Sequence, residues 1–128
     1  MNTIEKIINA RKNKVTIENM TFNFLRPTDY QMARFEKDGP MEKIARYVIG
    51  WDGVNEIDLF ESGDPEPAVF SVDLLKLWGE DHMDILIKLL KEINKSYETF
   101  IVNREESLGK LEAGSNSKTS QLTQESHP

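Results

Sequence analysis

The residues best suited to chemistry in this sequence lie in one short segment that contains Asp81, His82 and Asp84. A carboxylate beside an imidazole can transfer protons or bind a metal ion, and the spacing places Asp81 and Asp84 on one helical turn. Acidic side chains at a helix start are also favoured by the exposed N–H groups and the helix dipole, without any catalytic role. We expect the second explanation, with Asp81 as the cap of the helix that follows.

Other catalytic and metal-binding classes lack the residues that they require. The chain has no cysteine, which excludes disulfides, thiolate chemistry and sulfur-ligated zinc sites. Asp52, Asp58 and Asp64 do not have the alternating spacing of a calcium loop. The glycines of residues 50–53 follow a predicted helix, whereas those of a phosphate-binding loop precede one. We therefore predict no catalytic residue, no metal site and no cofactor.

The charge of the chain bears on its partners. A formal net charge of −6 argues against nucleic-acid binding, which needs a surplus of Lys and Arg on one face. Between Arg46 and Lys76 there is no basic residue and there are seven acidic ones, namely Asp52, Glu56, Asp58, Glu61, Asp64, Glu66 and Asp73. This acidic stretch either attracts a basic partner or is a solvated loop.

Hydropathy indicates a protein that neither crosses a membrane nor carries a secretory signal. No apolar run approaches the ~20 residues that a bilayer span requires. Residues 1–14 lack the uninterrupted apolar stretch of a signal peptide. We therefore expect a cytoplasmic protein.

The pattern of apolar residues predicts a mainly α (α+β) fold, a helical domain with one small N-terminal β-hairpin and a long C-terminal helix. Thr3 is placed to cap a first helix, in which isoleucines at 4, 7 and 8 make a short apolar stripe. Apolar and polar residues then alternate on both sides of Glu18 and Asn19, which predicts a hairpin near residues 14–26.

Three helices and one ordered loop are predicted between the hairpin and the long C-terminal helix. Thr28 and Gln31 have capping-box spacing at the start of a helix that extends to about Lys37. The next helix begins at Pro40, and its apolar face is Met41, Ile44, Ala45, Val48 and Ile49. Residues 51–69 are predicted to form a loop whose apolar anchors are Trp51, Ile57, Leu59 and Phe60. Ser71 caps a short helix that ends at Gly79.

The longest predicted helix covers residues 82–107. Its apolar stripe lies within an arc of roughly 120° at ~100° per residue and consists of Leu86, Leu89, Leu90, Ile93, Tyr97, Phe100 and Ile101. Beyond Gly109 the composition is dominated by Ser, Thr, Gln, Asn and Gly. We expect one domain over residues 1–109 and a disordered polar tail over residues 110–128.

Apolar residues outside this stripe are candidates for a protein interface. Ile85 and Ile87 lie roughly 100° to either side of the stripe's centre, and Val102 lies nearly opposite to it. Such residues pack either inside the domain or against a partner. The same two alternatives apply to Trp51 and Trp78, which are either core anchors or interface hot spots.

Several short segments, in this order along the chain, give it a resemblance to a known family. They are Arg26-Pro27-Thr28-Asp29, Gly50-Trp51-Asp52-Gly53-Val54, Phe70-Ser71-Val72-Asp73-Leu74-Leu75, Leu77-Trp78, Asp81-His82, Ser96-Tyr97 and Arg104-Glu105-Glu106. Together they cover about residues 15–109, and the chain resembles the tail assembly chaperones of long, non-contractile-tailed bacteriophages.

The resemblance implies a small, acidic, mainly helical protein without catalytic activity. Members of that family coat the helical tape-measure protein and recruit tail tube subunits during assembly, and some self-associate. They act in the host cell cytoplasm and are absent from the mature virion. No individual residue is carried over as a binding residue.

Two other functions fit the sequence. One is a minor structural or tail-completion protein that stays in the virion. The other is a small acidic inhibitor of a host protein, for which the acidic stretch between Arg46 and Lys76 is the contact.

Overall fold

The computed structural model describes the backbone of residues 1–115 and the side chains of residues 1–109. Its helices are α1 (Thr3–Asn9), α2 (Asp29–Arg34), α3 (Pro40–Tyr47), α4 (Glu56–Leu59), α5 (Val72–Gly79) and α6 (Met83–Ser115). Its strands are β1 (Lys12–Ile17), β2 (Met20–Leu25) and β3 (Val48–Asp52). The predicted α+β class, with an N-terminal hairpin and a long C-terminal helix, is confirmed.

The hairpin is formed by β1 and β2, which pair antiparallel with Ile17 opposite Met20. The two turn residues both have left-handed backbone conformations, with φ values of 48° at Glu18 and 71° at Asn19. Two such residues are what a two-residue turn between twisted strands requires, and asparagine adopts this conformation more readily than glutamate. The predicted hairpin is therefore present, and it begins two residues earlier than expected.

The third strand corrects the prediction for residues 40–50. Helix α3 ends at Tyr47, and Val48–Asp52 is a strand in which Val48 pairs with Phe24 and Trp51 with Phe22. Val48 and Ile49 fit the spacing of a helix face, but their β-branched side chains favour a strand. Pairing with β2 completes a sheet of order β1-β2-β3. The interstrand hydrogen bonds and packing gained in this way favour a strand over a continued helix for these residues.

The predicted loop over residues 51–69 contains the end of β3 and the short helix α4. Trp51 and Leu59 are buried as expected, but Ile57 and Phe60 are exposed, so they do not anchor the segment. Backbone hydrogen bonds hold it instead: the N–H of Ala68 donates to the carbonyl of Val54 (2.9 Å), and that of Glu56 to the carbonyl of Glu66 (2.8 Å).

Most of the predicted helix starts are present. Thr28 and Gln31 form the predicted capping box of α2, and the Ser71 hydroxyl accepts a hydrogen bond from the Leu74 N–H at the start of α5. The predicted start of α6 is wrong by one residue, since the helix begins at Met83 and not at His82. The carbonyl of His82, and not that of Asp81, accepts the N–H groups of Ile85 and Leu86.

One hydrophobic cluster joins the sheet to helices α3, α4 and α5 and to the first part of α6. The inner face of the sheet contributes Phe22, Phe24 and Val48, and the stripe of α6 contributes Leu86, Leu89 and Ile93. Helix α5 approaches α6 closely at Gly79, where a Cβ atom would lie 2.5 Å from Leu86 Cδ1. No charged or polar residue is buried in the part of the chain that the structure describes.

The chain forms two compact units, and the boundary between them lies within α6, after Ser96. The first unit is Met1–Ser96, and the described part of the second is the continuation of α6. The helix extends to Ser115, six residues beyond Gly109, where we expected order to end. The remainder of the predicted tail, residues 116–128, lies outside the described residues.

The contact at Gly63 gives a test of the segment around α4. A Cβ atom there would lie 2.6 Å from the backbone carbonyl of Glu56, so we expect Gly63→Ala to lower the free energy of unfolding by about 1–3 kcal/mol. Gly109 is the matched control, since it lies in a helix with no neighbouring atom within 4 Å. Gly109→Ala should be neutral or stabilising by up to ~1 kcal/mol in urea denaturation. An unchanged stability of Gly63→Ala would contradict the described packing.

Candidate protein interface

Helix α1 exposes its whole apolar stripe. The Asn2 side chain caps the helix by accepting the Glu5 N–H (2.8 Å), so the cap is one residue earlier than predicted. Ile4 and Ile7 are 69% and 61% exposed, Ile8 and Met1 are exposed as well, and no residue of α1 is buried. A helix of seven residues is not stable alone in water, because nucleation costs more than so few hydrogen bonds return. A partner that covers this stripe would stabilise it.

The end of α1 is fixed to the sheet and to α2 through Arg11. The Arg11 N–H donates to the Ile8 carbonyl (3.0 Å), and the Arg11 carbonyl accepts the Arg26 N–H (2.7 Å). The guanidinium donates to the Arg26 carbonyl (2.9 Å) and to Gln31 Oε1 (3.2 Å). The exposed stripe therefore ends at Ile8, three residues before this ordered point of the fold.

Three of the predicted interface residues, Ile85, Trp51 and Trp78, lie in the core of this chain. The Trp51 indole packs edge-on against Phe70 with ring centroids 5.1 Å apart, and its Nε1 donates to the Ala68 carbonyl (2.8 Å). Because these side chains are buried, this fold does not present them to a partner. Of the two alternatives that the sequence left open, core packing describes all three.

The other two predicted interface residues are exposed. Ile87 of the first unit is 37% exposed, and Val102 of the second is 51% exposed. In the second unit the Arg104 guanidinium lies 5.1 Å from the centroid of the Phe100 ring, and the exposed Leu108 is one turn further along α6. Exposed apolar side chains thus occur on α1 and on α6.

His82 is held by contacts with Trp78. Its ring stacks on the indole with centroids 4.2 Å apart, and its Nδ1 lies 2.8 Å from the Trp78 carbonyl oxygen. Asp84 lies two residues after His82 in the sequence, and the structure places Glu18 and Asp58 around the shallow depression that His82 and Asp84 line. Among the described residues, no group of three or more acidic or histidine side chains is arranged to hold a metal ion.

Two carboxylates of the acidic stretch have local partners. Asp52 lies 3.1 Å from Lys14 on the outer face of the sheet, and the hydrogen bond from Lys14 holds the pKa of Asp52 below its ordinary value. Asp58 accepts the Asn55 N–H (2.8 Å) in the capping box of α4. These two acids contribute to local structure.

The chain matches no protein-family model, no curated protein and no solved structure. Within the described residues, no helix has the length and apolar character that crossing a bilayer demands.

The isoleucine spacing predicted the α1 stripe but did not predict that the stripe is exposed. The short length of the predicted helix could have indicated its exposure, since the strand residues that follow it are charged and offer little apolar surface for it to pack against. The depression around His82 left no such signal, because its residues come from four separate segments of the chain.

Lysine substitutions at Ile85 and Ile87 test the assignment of core and surface. Ile85 is 8% exposed, so Ile85→Lys should cost about 3 kcal/mol or more of unfolding free energy in a thermal or urea melt. Ile87→Lys is the matched control two residues away, and it should cost less than about 1 kcal/mol. If Ile87 contributes to self-association, its variant should also lower the mass measured by light scattering at high concentration. Equal destabilisation by both variants would contradict the assignment.

Proposed function

We propose that the protein is a non-catalytic bacteriophage tail assembly chaperone that binds apolar helical segments of the tape-measure protein. The single observation that carries this proposal is the α1 stripe, in which every large apolar side chain is exposed. On this proposal the protein acts in the host cell cytoplasm during tail assembly and is absent from the mature virion.

An amphipathic helix is the partner that best complements α1. Two helices bury their apolar stripes against each other along a common axis, with anchors at positions three and four residues apart. Ile4, Ile7 and Ile8 have this spacing. Burial of each isoleucine contributes about 1.5–3 kcal/mol, part of which offsets the entropy lost on association.

The remaining properties agree with a chaperone for such helices. The net charge of −6 favours solubility of a complex that would otherwise expose apolar surface. The resemblance to tail assembly chaperones implies that the client is the tape-measure protein and that tail tube subunits are a second partner. Self-association through exposed residues of α6, Ile87 and Val102, is a further part of the proposal.

Co-expression with a tape-measure fragment that is insoluble alone tests the proposal. We expect the wild-type protein to keep the fragment in the soluble fraction and to co-purify with it. Replacing Ile4 and Ile7 by glutamine should abolish this effect without unfolding the protein, because both side chains are exposed. Lys6→Gln, on the opposite face of α1, should leave it unchanged.

Two outcomes would contradict the proposal. If the fragment is equally soluble with and without the wild-type protein, the tape-measure protein is not its client. If the Ile4→Gln/Ile7→Gln variant keeps the fragment as soluble as the wild-type protein does, α1 is not the contact surface.

A further inference from the structure

Strand β1 is a free edge of the sheet. The strand order is β1-β2-β3, so β1 pairs on one side only. The Arg26 N–H donates to the Arg11 carbonyl (2.7 Å), which makes these two residues a hydrogen-bonded pair of the antiparallel ladder. Such pairs alternate along the strands, so Asn13 and Val15 also bond to β2. The backbone groups of the residues between them point away from β2.

These outward-pointing groups belong to Lys12, Lys14 and Thr16. Their N–H and carbonyl groups have no backbone partner among the described residues. All three residues are exposed, so solvent reaches the edge. A row of unpaired donors and acceptors along a strand of this length can pair with an added strand.

The side chains beside the edge define the chemistry of the strand that fits it. Lys12 and Lys14 lie on the outer face of the sheet, whereas Val15 lies on the inner face and packs against the core cluster. Lys12 forms no ion pair with another described residue. Lys14 pairs with Asp52, but their side chains are 69% and 51% exposed, so this pair is weak. Both lysines are therefore available to carboxylates of a partner.

A depression beside the two lysines is also suited to carboxylates. It has a volume of about 520 Å³ and is lined by Lys12, Asn13, Lys14, Asn23, Ile49 and Gly50. The ammonium and carboxamide groups of this lining donate hydrogen bonds, and an ionised carboxylate only accepts them. The described lining contains no carboxylate of its own.

The lysines argue against a second copy of β1 as the added strand. Lysine on an edge strand hinders pairing with a strand of like charge, because equal charges that face each other destabilise a sheet. The same side chains favour a strand that carries acidic residues.

We propose that the edge of β1 binds an extended acidic segment of a partner protein as a fourth strand. Acidic side chains on the outer face of that segment lie beside Lys12 and Lys14, and apolar ones alternate with them on the inner face, beside Val15. Backbone hydrogen bonds from the edge hold the segment in place. This edge is separate from the α1 stripe, and the inference does not depend on the proposed function.

Amide exchange in the full-length, ¹⁵N-labelled protein tests the pairing. In the free protein, the amides of Lys12, Lys14 and Thr16 should exchange much faster than those of Asn13 and Val15. The probe is the peptide acetyl-Glu-Val-Glu-Val-Glu-Val-Glu-amide, which should shift the signals of β1 saturably. At a free concentration of about ten times its Kd, it should slow exchange of the three edge amides about tenfold and leave the other two little changed.

Two further peptides separate backbone pairing from charge. The same sequence with every backbone nitrogen methylated keeps its side chains but cannot donate to the edge, so it should not bind measurably. The sequence with lysine in place of glutamate should bind about tenfold more weakly than the acidic peptide.

Variants connect the charge preference to the two lysines. Lys12→Gln/Lys14→Gln should weaken binding of the acidic peptide about fivefold. Lys37→Gln/Lys95→Gln removes the same charge at exposed positions outside β1 and should have little effect. Asp52→Asn removes the internal competitor for Lys14 and should strengthen binding a few-fold.

A proline variant tests the edge itself. Lys14→Pro removes one outward-pointing N–H and no hydrogen bond to β2, so the hairpin should form and the peptide should bind more weakly than it does to Lys14→Gln. Slow exchange of the Val15 amide in each variant shows that the hairpin is intact.

Several results would overturn the inference. They are edge amides as protected as those of Asn13 and Val15 in the free protein, no saturable shift, binding of the methylated peptide, equal binding of the lysine peptide, and equal weakening by the two double variants. Protection of the edge amides that rises with protein concentration, without any peptide, would make a second copy the occupant and would contradict the inference as well.

Discussion

The structure depends on one hydrophobic cluster that draws all its buried residues from Ile17 to Ile93. The inner face of the three-stranded sheet, helices α3 and α5 and the stripe of α6 all contribute to this cluster, because each needs other apolar surfaces to cover its own. This cluster leaves out α1, so its isoleucines stay exposed although they have the spacing of a buried face. An apolar surface excluded from the core is the physical basis of the proposed binding role.

The position of α1 follows from local bonds near the start of β1. Arg11 ties the end of the helix to the carbonyl of Arg26 and to Gln31, which also caps α2. The helix is thus placed at the edge of an ordered body without being packed on it. A partner can then supply the apolar contacts that α1 lacks within this chain. Because α1 is already held in place at its C-terminal end, binding costs little additional conformational entropy.

Features determined by neighbouring residues were predictable from the sequence, whereas those determined by distant ones were not. The capping box of Thr28 and Gln31 is local, and it was predicted correctly. The strand at Val48–Asp52 was missed because its residues also fit a helix, and pairing with β2 more than twenty residues earlier decides its conformation. The convergence of Glu18, Asp58 and Asp84 near His82 likewise depends on the tertiary fold.

Native-state hydrogen exchange of the α1 amides tests the central claim most directly. If α1 lacks tertiary cover, its amides should exchange much faster than those of β2 and of residues 86–93 in the free protein. They should become protected when a tape-measure helix is added. Protection of α1 in the free monomer equal to that of the core would contradict the account, as would exchange that stays fast in the bound state.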